Sequence, residues 1–92
     1  MTVTYSSYLK VDELLQCQQP LSEGPEHDEL LFIVIHQSYE LWFKQMLHEL
    51  DFLVRLFNDG ERNRALHTLK RVDTIYRTLI QQVDILETLT PL

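Results

Sequence analysis

Residues 65–86 read ALHTLKRVDTIYRTLIQQVDIL. Apolar side chains recur there at Ala65, Leu69, Val72, Tyr76, Leu79, Val83 and Leu86, in alternating steps of four and three. That spacing is the seam of a helix packed along one side against another helix. Arg62, Arg64, Lys70, Arg71, Asp73, Arg77 and Asp84 take the other faces, so the element is amphipathic. The pattern predicts a helix over 61–88, with Pro91 beyond its end.

A partner of matching length precedes it. No Gly or Pro interrupts residues 26–57. Glu26 and Asp28 favour a helix N-terminus there, and Gly60 is placed to terminate the helix. A helix over 26–58 is a rod of roughly 45 Å. It carries its own stripe at Ile35, Tyr39, Phe43, Met46, Leu50, Leu53 and Phe57. The short connection NDGE (58–61) makes the two helices antiparallel neighbours. Upstream, YLKVDELLQ (8–16) has helical spacing at Tyr8, Val11, Leu14 and Leu15, with Ser6 or Ser7 as the cap. Three turns are too few for a stable helix in isolation, so this one must dock. MTVTYSS (1–7) reads as an arm, and residues 17–26, with Pro20, Gly24 and Pro25, as a loop. The fold class is all-α: one segment, 1–92, with a short N-terminal helix and a long antiparallel helical hairpin.

Composition narrows the partners. The chain has 92 residues and a net charge of −6, with Lys and Arg scattered rather than gathered in a stripe. Such a surface does not suit nucleic acid. No run of about 18 apolar residues exists to cross a membrane, and the one cysteine, Cys17, cannot form an internal disulfide. These features lead us to expect a soluble, cytoplasmic protein. Cys17 reads as a small, semi-buried hydrophobe.

The first half of the long helix holds more hydrophobicity than a hairpin can use. LLFIVI (30–35) is apolar right round the helix, and Leu41, Trp42 and Phe43 follow. A helix apolar on all sides is normally buried on all sides. Each large side chain left in water forgoes about 1.5–3 kcal/mol. The segment is therefore expected to pack against more protein than two helices and a stub supply, through oligomerisation or within a larger protein.

His36 lies inside that run. It shares a helix face with Phe32, Tyr39, Glu40 and Phe43. Spacing leaves two readings open: a hydrogen-bonded core histidine, or a histidine facing a ligand. His27, His48 and His67 border polar stretches and read as surface residues. No two histidines stand three or four apart and no HExxH occurs, so no protein-only metal site is expected. A heme would need only one axial ligand. Glu40 and Lys44 are spaced for a local ion pair. Tyr5, an aromatic in the arm, needs something to anchor on.

Three stretches together, YSSYLKVDELL (5–15), HDELLFIVIHQSYELWFKQMLHEL (27–50) and LETLTPL (86–92), resemble the N-terminal part of the tryptophan 2,3-dioxygenase family. The resemblance implies a tetrameric, all-helical enzyme of tryptophan catabolism whose heme b activates O2. Both oxygen atoms add across the indole C2–C3 bond of L-tryptophan, and the ring opens to N-formylkynurenine. By resemblance, His36 matches the distal histidine that hydrogen-bonds the indole N–H, and Phe32 matches a phenylalanine lining the indole pocket. Tyr5, Tyr8 and Leu9 match residues that the family inserts into a neighbouring subunit's active site. Phe32, His36 and Tyr5 would border the distal side of the heme without ligating it. A neutral imidazole can accept an indole N–H bond in a dry site. The family's substrate-carboxylate arginine and proximal heme histidine lie beyond the matched stretches. Alone, the 92 residues are therefore expected to be inactive. Two other readings are a catalytically inert, stand-alone helical oligomerisation module derived from the same family, and an unrelated small-ligand or heme binder using the pocket around His36.

Overall fold

The computed structural model describes residues 2–24 and 26–89; Pro25, read as a breaker, and Pro91, read as lying beyond the last helix, fall outside them. It contains four helices and, among the described residues, no strand: α1 (Tyr5–Leu9), α2 (Val11–Leu14), α3 (Asp28–Asn58) and α4 (Arg62–Leu86).

α3 begins with Asp28 and Glu29 in its first turn, where carboxylates complement the helix dipole. It ends in a Schellman motif. Gly60 N–H donates to the Phe57 carbonyl at 3.2 Å and Glu61 N–H to the Leu56 carbonyl at 2.9 Å. Gly60 adopts φ 73°, a conformation that glycine enters without steric penalty. α4 then runs back along α3.

Three contacts set the antiparallel register. Leu53 and Leu56 pack on Ala65 beside the turn, with Phe52 against them. Arg71 pairs with Glu49 midway at 3.2 Å. The Tyr39 hydroxyl donates to the Leu79 carbonyl at 3.0 Å, farther along.

The seam is rotated from the one the spacing predicts. Ala65 and Leu79 do face inward, but their buried companions are Thr68 and Ile75 rather than Leu69 and Tyr76. On α3 the buried residues are Ile35, Glu49, Leu53 and Leu56, while Phe43, Leu50 and Phe57 remain exposed. The physical reason is that α4 is apolar on both flanks of its shared positions. Positions 65, 68, 72, 75 and 79, stepping three then four, fit a heptad as well as 65, 69, 72, 76 and 79, stepping four then three. The hairpin closes on the flank with the smaller side chain near the turn. Thr68 tolerates burial because its hydroxyl donates to the Arg64 carbonyl at 3.0 Å.

The N-terminal region also departs from expectation. Residues 5–7 are helical rather than an arm, because Thr4 rather than Ser6 or Ser7 forms the cap. Ser7 N–H donates to Thr4 Oγ1 at 3.1 Å and Thr4 N–H donates to Ser7 Oγ at 3.0 Å, a reciprocal capping box. The helix expected over 8–16 is broken at Lys10, which sits in the left-handed region at φ 54°.

The whole is extended and flat, 56 × 42 × 16 Å. Its radius of gyration is 17.8 Å, where a compact chain of this length would have about 12 Å. It exposes 7968 Å², against about 5,600 Å² for a compact monomer of its mass. The difference, roughly 2,300 Å², exceeds the 800 Å² or so that each partner contributes to an ordinary protein interface. The excess is apolar where the sequence is most apolar: Leu30, Phe32, Val34, Leu41, Trp42 and Phe43 are all exposed. No helix among the described residues is long and apolar enough to cross a membrane.

Candidate functional site

His36 is on the outside of α3. The inward positions around it are Ile35 and Tyr39, so the hairpin core does not contain the imidazole. Its Nδ1 lies 2.7 Å from the Phe32 carbonyl oxygen. A carbonyl can only accept, so Nδ1 carries the hydrogen. In the neutral ring this leaves Nε2 as an unprotonated acceptor. The helix thus selects the tautomer with its own backbone. The Phe32 ring stacks on the imidazole one turn away, with centroids 4.2 Å apart and planes tilted by 34°. The pair presents an apolar ring and a directed hydrogen-bond acceptor on the same exposed face.

A cavity of about 360 Å³ opens beside His36, between α3 and the end of α2. Leu14, Cys17, His36, Gln37, Glu40 and Leu41 line it. It is walled almost entirely by apolar surface, the polar residues His36, Gln37 and Glu40 included. Glu40 forms no ion pair with Lys44; among the described residues the ion pairs are Arg71–Glu49 and Arg77–Asp73. Cys17 is exposed rather than semi-buried, and its thiol donates to the Glu13 carbonyl at 3.3 Å.

Tyr5, Tyr8 and Leu9 are not brought to this cavity. They sit on α1, where Tyr5 is 77% and Tyr8 70% exposed. No Cα of α1 or α2 lies within 8 Å of a Cα of α3. Within one chain, then, Phe32 and His36 form one group and the α1 residues another. Two polar ties connect them. Gln37 Nε2 donates to the Cys17 carbonyl at 2.9 Å, and Gln18 Nε2 donates to Gln37 Oε1 at 2.9 Å. The Glu29 carboxylate receives Leu21 N–H at 2.9 Å, Ser22 N–H at 3.1 Å and the Ser22 hydroxyl. The Ser22 hydroxyl first, then the Leu21 N–H, holds the Glu29 carboxyl below the usual glutamate range. Sequence reading missed both ties, since a polar residue on a helix surface carries no periodic signal.

His27, His48 and His67 are exposed and scattered. Among the described residues, no three His, Cys, Asp or Glu side chains gather where they could hold a metal ion.

Comparison with known proteins gives this geometry its context. The family model of tryptophan 2,3-dioxygenase matches residues 1–92. The tryptophan 2,3-dioxygenase of Herpetosiphon aurantiacus is 61% identical over 90 residues, covering 98% of this chain and 35% of its own length. That of Anaeromyxobacter sp. strain K is 61% identical over 89 residues, covering 97% of this chain and 33% of its own length. A third, from Nocardioides sp., is 52% identical over 93 residues, covering 97% and 35%. The chain thus spans about a third of the length of the curated relatives it matches. With the family match running along the full 92 residues and relatives 61% identical over nearly all of them, the chain belongs to the tryptophan 2,3-dioxygenase family.

Proposed function

We propose that these residues form the distal wall of the active site in a heme-dependent dioxygenase that opens the indole ring of L-tryptophan with O2, giving N-formylkynurenine. The observation that carries this reading is His36, whose Nδ1 is engaged by the Phe32 carbonyl so that Nε2 is left as an acceptor. An indole N–H is a donor with no acceptor capacity, so it complements that atom. Phe32, stacked on the imidazole, supplies an aromatic face beside the bond and, once the site is covered by the rest of the enzyme, would help keep water from it. Bound heme b would supply the activation of O2. This chain's share is to orient the indole and to hold its N–H against Nε2.

The arm has a place in the same reading. Tyr5, Tyr8 and Leu9 are exposed and lie away from their own chain's His36. That suits insertion into a neighbouring copy, as the family's N-termini do, within a cytoplasmic homo-tetramer. The surplus apolar surface of α3 and α4 is the surface such an assembly and the rest of the enzyme would cover.

The test exchanges residues 1–92 into the Herpetosiphon aurantiacus enzyme and compares that protein with its His36→Ala variant. One lost hydrogen bond in a dry site corresponds to roughly 1.4 kcal/mol or more, about tenfold in kcat/KM. The heme Soret band should be unchanged. The loss should shrink with N1-methylated tryptophan, which has no N–H to offer. Equal kcat/KM for the two proteins on tryptophan would remove the role assigned to His36.

A further inference from the structure

We propose that Gln37 is a positioning residue that fixes the direction in which the N-terminal arm leaves the His36 face. The inference rests on what can hold the arm at all. α1 and α2 bury no residue, and between them only Val11 is half-buried. Apolar packing is the usual means of docking short helices, and here it is nearly absent. No α1 or α2 backbone comes close to α3. What remains is polar, and at the α2 end it converges on one side chain. The Gln37 amide is used at both ends, donating through Nε2 to the Cys17 carbonyl and accepting through Oε1 from Gln18, each at 2.9 Å. Gln18 in turn donates to the Leu14 carbonyl at 3.0 Å, so the chain of bonds reaches the last turn of α2 itself. A planar amide held at both ends cannot rotate without breaking one bond, so it transmits orientation as well as attachment.

Gln37 is the immediate neighbour of His36 on α3, and both line the same cavity. Any movement of the clamp therefore changes the arm's direction relative to the His36 face. Glu29 holds residues 21 and 22 separately, farther along the loop. The segment is thus tied at two points, with Gln37 the one next to the arm. The consequence for catalysis rests on the function proposed above: a misdirected arm would present Tyr5 and Tyr8 wrongly to a neighbouring copy.

The geometry can be tested apart from that reading. Spin labels are placed on Ser6→Cys in α1 and Asp51→Cys in α3, in a Cys17→Ser background, and the inter-label distance distribution is measured by pulsed EPR. The labelled chain is diluted with unlabelled chain so that only distances within one chain are read, and the parent should give one narrow distribution at every pH at which the Glu29 carboxylate is ionised. Gln37→Leu removes both bonds at similar size and should broaden or shift it, with the helix content of α3 and α4 intact. Gln37→Glu is the discriminating variant. Protonated, its carboxyl can still donate to the Cys17 carbonyl and accept from Gln18; ionised, it turns a carboxylate oxygen towards that carbonyl. It should therefore restore the narrow distribution in acid and lose it at neutral pH. His36, Glu40 and Glu29 titrate in the same surroundings, and the pH series on the parent corrects for them. A Gln37→Leu distribution as narrow as the parent's, or a Gln37→Glu distribution that does not respond to pH, overturns the proposal. The kinetic arm uses the exchanged enzyme. Gln37→Leu should raise KM for tryptophan more than it lowers kcat, with heme retained. Normal kinetics beside a disordered arm would refute the catalytic reading of the clamp and leave its geometry standing.

Discussion

Glu49 offers a sharp energetic test of the hairpin. Its carboxylate is almost wholly buried, with 6% of the side chain exposed, while its partner Arg71 is 55% exposed. Oε1 receives Arg71 Nη1 at 3.2 Å, and Oε2 is buried without a hydrogen-bond partner. Removing the arginine strands the charge. For a fully buried pair the cost is about 3–5 kcal/mol; water reaching the Arg71 side screens the pair and reduces this to roughly 2 kcal/mol. Removing the carboxylate is different. Glu49→Met keeps an unbranched, helix-favouring side chain of similar size and abolishes the desolvation of an unsatisfied oxygen. Buried pairs replaced in this way leave stability unchanged or raise it by about 1–4 kcal/mol. Arg71→Ala should therefore destabilise, Glu49→Met should not, and the double variant should resemble Glu49→Met. The coupling between the two sites should be about 2 kcal/mol. Urea denaturation followed by far-ultraviolet circular dichroism, at one fixed protein concentration, measures all four corners of the cycle. If Arg71→Ala costs less than about 0.5 kcal/mol, in the range of an ordinary surface pair, or if Glu49→Met is the more damaging change, the assignment of Glu49 as a buried charge is wrong.

Gly60→Ala meets no steric obstacle, since nothing lies within 4 Å of the added carbon, yet it must hold φ 73°. A loss of about 1 kcal/mol in the same denaturation assay is expected from backbone conformation alone. Glu29 sets a pH dependence in the loop. Its carboxyl is held low by Ser22 and Leu21, so its contribution is complete above the unfolded value and is lost as pH falls through the folded one. The Leu21 and Ser22 amide resonances should move together in acid, below the usual glutamate range, and Glu29→Gln should flatten that titration; resonances that stay fixed in the parent would refute the tie. The exposed area makes self-association the expected state of the isolated chain at micromolar concentration. Light scattering that returns a stable monomer would contradict the burial reasoning.

The 3.5-residue period of ALHTLKRVDTIYRTLIQQVDIL and the unbroken helix before it were sufficient to read a long helical hairpin, because helix period and chain breakers are local properties. The same period could not say which flank closes. Val72 belongs to a seam completed by Leu69 and Tyr76 or by Thr68 and Ile75, and the choice depends on what faces it across α3. Glu49 gives no sequence signal of burial for that reason: a glutamate beside Leu50 reads as a surface residue until the seam rotates. Thr4 carries a weak cap signal in the sequence, since its capping-box partner, Ser7, is not the usual Glu or Gln.

The functional face divides in the same way. The stretch FIVIHQ, by its resemblance, pointed to His36 and Phe32 from the sequence, and its excess hydrophobicity announced that this chain does not cover it alone. Spacing left open whether the imidazole was core or ligand-facing. Tertiary structure placed it outside the core, bound its Nδ1 to the Phe32 carbonyl, and tied residues 17–22 to α3 through Gln37 and Glu29. Periodicity reports which residues are apolar. Only packing decides which apolar surface is used inside the chain, which polar groups must then find partners, and which way a histidine is left facing.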